Sequence, residues 1–211
     1  LSFSQAVLAS FRAKNSSTAA LSRISKLLFD PTTCAVTNIT PFITARAVSS
    51  LDVFSGGRFI FGVGAGYLKP EYKALGVDFD TRNDLMDEYI KAMKLAWTGE
   101  DFAFEGTGYN AVGNRMLPTP IQKPHPPLLI GGNSKRALRR TAELGDAWHP
   151  FFVPKMVTDT ARTANIETDE EILAAIQYIH DHCDKIGRKV YPDVICSGTF
   201  SMKGSDWSAQ E

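Results

Sequence analysis

Two glycine-marked segments have the residue types and spacing to hold a ligand. GVGAG, residues 62 to 66, closes the apolar run RFIFGVG (58 to 64). Glycines there let a ligand approach the backbone, and their N–H groups can face a phosphate or a flat ring. The segment fails as a dinucleotide fingerprint, because Tyr67 stands where a further glycine is required and Pro70 blocks an immediate helix. An irregular tight loop is the competing reading. The second segment is LLIGGNSKRALRR, 128 to 140, where an apolar strand runs through Gly131 and Gly132 into a helix with Asn133, Ser134 and Lys135 at its start. Free N–H groups, the positive end of the macrodipole and the Ser134 hydroxyl make a phosphate site; the competing reading is an ordinary strand-to-helix turn. Each segment strengthens the other, since ligands of parallel α/β folds bind at the carboxyl ends of strands.

Other residues carry weaker signals. His180 and His182 are two apart on a helical pattern, so they point to different faces and cannot share a metal. His125 lies in a proline-rich turn and His149 beside Trp148, and both read as structural. Cys34, Cys183 and Cys196 are far apart, with no CxxC and no histidine at ligand spacing, so they read as buried reduced thiols of a cytosolic protein. No metal site is expected. The absence of GxSxG, HExxH and GxxxxGK[ST] removes the common hydrolase and nucleoside-triphosphatase motifs.

The elements that must position these segments alternate between strand and helix. TCAVTNI (33 to 39) is a β-rich run, followed by Thr40 as N-cap and Pro41 at the first helical position. Ile43, Ala47, Val48, Leu51 and Phe54 recur at helical spacing, and Gly56-Gly57 ends that helix. Thr81 and Asp84 have capping-box spacing, ahead of an apolar face of Leu85, Met86, Tyr89, Ile90, Met93 and Trp97. Gly99 to Pro127 reads as irregular. PLLIG (127 to 131) is a strand, and Ala137, Leu138, Thr141 and Ala142 mark the helix after it, closed by Gly145. AWHPFF (147 to 152) and DVICSGTF (193 to 200) read as further strands. Between them Thr168 and Glu171 form a capping box for a helix ending at Gly187.

About five βα units imply a parallel sheet flanked by helices, either open or closed as a barrel. With 211 residues the chain is short for an eight-fold barrel, which takes roughly 250. It starts at Leu1 without Met, ends in a capping-box pattern at Ser208 and Glu211, and has no glycine before Gly56. One domain over 1–211 with terminal elements missing is therefore expected. Apolar residues make up 44% and charged residues 22%, which argues against disorder, and 23 basic residues against 23 acidic ones leave no electrostatic claim on nucleic acid or an anionic membrane. No run approaches the roughly 18 apolar residues of a membrane span, and the start lacks a signal peptide's cationic region, so a cytoplasmic location is expected.

PFITARAVSSLDVFSGGRFIFGVGAGYLKPEYKALGVDF, then TRNDLMDEYIKAMKLAW, then PIQKPHPPLLIGGNSKRALRRTAELGDAW, resembles the luciferase-like monooxygenase superfamily, in particular its coenzyme F420-dependent branch. The resemblance covers about residues 33 to 152, with a weaker tail from 168 to 200. It implies a (β/α)8 TIM barrel with the cofactor at the carboxyl-end mouth. Gly131, Gly132 and Ser134 match the family's phosphate contacts, Val63 and Gly64 a loop along the cofactor, and Asn38 a strand-end position contacting the deazaflavin or its side chain. A non-prolyl cis peptide between Ala35 and Val36 and a homodimer built on the helix from Pro41 to Phe54 are also implied. The family's first strands usually carry an acid or histidine near the redox carbon; residues 1 to 33 hold only Asp30 and no histidine, so no catalytic proton donor is assigned. The implied activity is hydride transfer between F420 and a small organic substrate. The alternatives are an FMN-dependent monooxygenase and a degenerate, non-catalytic flavin-binding protein. A β-branched residue at Gly132 should block the phosphate without altering folding, provided that φ there suits valine.

Overall fold

A computed structural model describes residues 34–35, 40–151, 158–159 and 162–196. The helix α1 (Pro41–Phe54) starts where proline costs no hydrogen bond, but the Thr40 side chain makes no cap bond. It follows β1 (Cys34–Ala35) and leads through Gly56 and Gly57, both at positive φ, to β2 (Phe61–Gly64). A short helix α2 (Lys69–Ala74) comes next. Pro70 opens it rather than blocking it, because the first turn of a helix has no carbonyl waiting for that missing N–H. A 3₁₀ turn (Phe79–Thr81) then leads into α3 (Arg82–Ala96).

The expected capping box at Thr81 does not form. The Thr81 hydroxyl donates to the Asp78 carbonyl, and Asp84 instead pairs with Arg136. The stretch read as irregular contains an antiparallel hairpin, β3 (Phe102–Gly106) and β4 (Tyr109–Asn114). Phe102, Phe104 and Tyr109 carry it into the core under α1 and α3. After β5 (Leu128–Gly131) come α4 (Lys135–Leu144), β6 (Ala147–His149), α5 (Asp169–Lys185) and β7 (Asp193–Val194). The Thr168–Glu171 capping box is present in full. Cys183 is buried, whereas Cys196 is exposed just beyond β7, which corrects the expectation of three buried thiols.

Among the described residues, five strands form one parallel sheet in the order β1-β2-β5-β6-β7, as βα crossovers require. Phe61, Val63, Leu128 and Ile130 pack outward against α1 and α3, and Trp148 against α4 and α5. Strand alternation therefore turns Gly62, Gly64, Leu129, Gly131, Ala147 and His149 to the opposite face.

The burial of α1 departs from its apolar pattern. Its inward face is Thr44, Ala45, Val48, Ser49 and Asp52, while Ile43, Leu51 and Phe54 are 63%, 49% and 85% exposed. The reason is tertiary: Trp97, from the end of α3, donates its indole N–H to the Ala45 carbonyl at 3.0 Å, a close approach that small residues permit. Asp52 is fully buried because the backbone N–H and side-chain amide of Gln122 both donate to its carboxylate. Among the described residues, no helix is long and apolar enough to cross a membrane.

Candidate functional site

The parallel register brings the two glycine segments together. Ala35 is level with Gly64, Val63 with Ile130, and Gly131 with His149, so Gly64, Gly131 and His149 form one row along the carboxyl edge. Below them, on the same face, lie Gly62, Leu129 and Ala147. Four of these six inward positions are glycine or alanine and the other two are Leu129 and His149, while Asp193 on β7, level with Ala147, shares the same face. Such a face presents mostly backbone and small side chains.

The turn after β5 leads directly into the N-terminus of α4. Gly132 adopts φ +107°, which L-residues rarely reach, so the proviso attached to valine there fails. Its N–H reaches the His149 carbonyl at 3.4 Å, and its carbonyl accepts from the Trp148 indole at 2.9 Å. Gly132 thus serves by conformation rather than as a donor. Ser134 is the N-cap of α4, and its Oγ accepts from the Ala137 N–H at 3.2 Å, leaving the hydroxyl proton free to point outward. The amides of Ser134, Lys135 and Arg136 have no acceptor one turn back in the helix. No acidic residue occupies the first turn of α4.

Asn133 is the residue whose role the sequence did not disclose. It is buried and donates to the Phe151 and Ala164 carbonyls at 2.7 and 2.9 Å, while its side-chain oxygen accepts from the Phe151 N–H. Its own N–H donates to Thr163 Oγ1 at 2.8 Å. These bonds tie the turn to the segments following β6, so Asn133 holds the site and does not face it. No local pattern announces such a role, because every partner lies at least 18 residues away.

The rest of α4 is clamped. Arg140, 3% exposed, and Arg136 both pair with Asp87 on α3. Burial pulls the Arg140 pKa down, with Asp87 working in the opposite direction. At the far end, Lys94 donates to the Leu144 carbonyl at 2.7 Å, and Arg188 to the carbonyls of Thr141, Ala142 and Gly145. Cations there complement the negative end of the macrodipole.

Among the remaining site expectations, Val63 lies beside Gly64, but its side chain is fully buried toward the helices, leaving only its backbone for a ligand. Asn38 and the Ala35–Val36 peptide fall on or against residues outside those described. His125 is structural: it packs against Trp97, and burial lowers its pKa. His180 stacks on Tyr191, and His182 reaches Glu143 at 2.9 Å.

In parallel α/β folds ligands bind at the carboxyl ends of strands, and helix N-termini favour anions; here the glycine-edged strand ends and the N-terminus of α4 lie side by side. The luciferase-like monooxygenase family model matches residues 16–206, and the chain belongs to that family. The FMNH2-dependent dimethylsulfone monooxygenase of Pseudomonas putida is 29% identical over 151 residues, which are 70% of this chain and 39% of that protein. The monooxygenase RslO1 from Streptomyces bottropensis superposes with a TM-score of 0.60 at 25% identity, over 76% of this chain and 46% of that one. An F420-dependent secondary alcohol dehydrogenase in complex with an F420-acetone adduct gives 0.59 at 18% identity, over 78% and 46%, a likeness of fold alone. The chain thus spans less than half the length of each. Its fold class is that of the luciferase-like TIM barrels.

Proposed function

We propose that this chain belongs to an oxidoreductase that holds the phosphate of a flavin or deazaflavin at the turn of Gly131, Gly132 and Ser134, to which Gly132 contributes its conformation. The leading reading is hydride exchange between coenzyme F420 and a small organic substrate. The observation that carries it is the row Gly64, Gly131 and His149 lying directly beside the open N-terminus of α4. A bound cofactor supplies the redox chemistry, and the protein positions its reactive atom and excludes water. In this chain, Ser134 and the first-turn amides of α4 would hold the phosphate, and Gly64 and Gly131 would give the ring room against the backbone. Asn38 and the backbone of Val63 belong to the same proposed surface. His149, at the inward rim, is the described residue best placed to hold or move a proton there.

A second reading is an FMN-dependent monooxygenase, favoured by the FMNH2-dependent relative of Pseudomonas putida. Titrating the protein with F420, FMN and riboflavin, followed by absorbance, separates the readings. FMN binding better than riboflavin supports the phosphate site, and a preference for F420 over FMN supports hydride transfer. Equal affinity for FMN and riboflavin with no F420 binding would overturn both.

The exposed apolar stripe Ile43, Leu51 and Phe54 on α1 supports a homodimer in which a second copy covers this face.

A further inference from the structure

Three cations converge on one buried aromatic ring. Lys69 Nζ lies 5.2 Å from the centroid of Phe79, the Arg82 guanidinium carbon 3.9 Å and the Arg162 guanidinium carbon 5.0 Å. They come from three separate places: the start of α2, the start of α3 and the segment after β6. Among the described residues, none of the three has a carboxylate within 4.0 Å, although Asp78 and Asp80 flank Phe79 in the chain. Like charges gathered around one ring repel one another, and the attraction of each to the ring offsets part of that. Arg162 reaches the ring from a backbone at φ +53°, the one positive φ among the described non-glycine residues.

The cluster borders the strand-end site on two sides. Tyr72, edge-on to Phe79 at 5.2 Å, donates its hydroxyl to the Ala65 carbonyl, one residue beyond Gly64. On the other side, Arg162 precedes Thr163, whose Oγ1 accepts the Asn133 N–H between Gly132 and Ser134. Both contacts tie the cluster to the strand-end site.

We propose that Lys69, Arg82 and Arg162 form a second oxyanion site at the rim, which takes the carboxylate groups of a ligand seated in the mouth. Those carboxylates would be carried either by the tail of the cofactor or by the substrate. The inference rests on the cofactor reading only for the identity of that ligand. Charge on both sides of such contacts strengthens them, and exposure makes them salt-dependent.

The test is calorimetric titration with citrate as the tricarboxylate probe, at low and at physiological salt. The Lys69→Ala/Arg162→Ala variant leaves intact the Arg82 bond to the Phe79 carbonyl. Citrate binding to the native protein that weakens with salt, and at least about tenfold in the variant, is the expected result. No citrate binding to the native protein, or equal binding by both, would overturn the site. A parallel arm titrates FMN, which has no carboxylate, and F420 carrying its carboxylate tail. Loss of affinity for F420 alone puts the carboxylate on the cofactor; unchanged affinity for both, with citrate binding lost, puts it on the substrate. If citrate binds as expected and neither cofactor does, the rim site stands and the cofactor reading fails. If both cofactors bind and citrate does not, the reverse holds. A variant that melts lower but binds citrate normally reduces the cluster to packing on Phe79, which also overturns it.

Discussion

Gly132 and Ser134 do different jobs within three residues. At φ +107° a side chain at position 132 is strained wherever it points, although a Cβ would meet nothing nearer than Ala137 at 3.6 Å. Gly132→Val should therefore destabilise the protein by about 1 to 3 kcal/mol, read as a lower midpoint in urea denaturation. An unchanged midpoint would show that the turn relaxes. Ser134→Ala is the cleaner probe of the phosphate. It removes one bond to an anion and should weaken FMN roughly tenfold or more while leaving riboflavin unchanged. Loss of the cap to Ala137 should cost about 1 kcal/mol of stability, and the FMN-to-riboflavin ratio is insensitive to that. The glycines and Ser134 were legible in the sequence because their chemistry is local. Asn133 was not, since its partners at Phe151, Thr163 and Ala164 meet it only through the fold.

Among the elements, α4 carries the site and α3 holds α4. Asp87 is the hinge of that arrangement, accepting from both Arg136 and Arg140. Asp87→Ala leaves the Arg140 guanidinium buried without its carboxylate, which should cost about 3 kcal/mol or more in chemical denaturation. A loss below about 1 kcal/mol would mean that the Asn83 carbonyl and side chain, the other acceptors of Arg140, suffice. The loop between β4 and β5 is secured by His125, whose pKa burial lowers. A histidine that resists protonation when folded binds fewer protons than the unfolded chain just below its ordinary value of about 6.5. Stability should therefore fall as the pH drops through 6.5 toward the lowered folded value, and it should be flat above. His125→Gln should flatten that part of a melting-temperature profile measured against pH; an unchanged slope would assign it to other groups. The Thr168–Glu171 box was readable from its spacing, and the same spacing at Thr81–Asp84 misled because Arg136, 52 residues away, claims Asp84. The β3–β4 hairpin was readable in principle, from alternating Phe102 and Phe104 before Gly106-Thr107-Gly108, but the surrounding glycines and prolines obscured it.

For the molecule as a whole, α1 presents the test of assembly. Phe54→Asp puts a charge in the most exposed part of its apolar stripe, and light scattering at micromolar concentration should show dimer converted to monomer. A native monomer, or a variant that remains dimeric, would reject this face as the contact. The sequence by itself determined the alternation of strands and helices, hence the parallel α/β class, and it marked both glycine-rich strand ends. Those features follow from periodicity, caps and turns, which act over a few residues. Only the tertiary structure decided that Gly64, Gly131 and His149 share one edge, because register is fixed by packing across β2, β5 and β6. It also decided which face of α1 is buried: Trp97 and Gln122 select Ala45 and Asp52 from across the fold, and hydrophobic spacing along one helix holds no record of either.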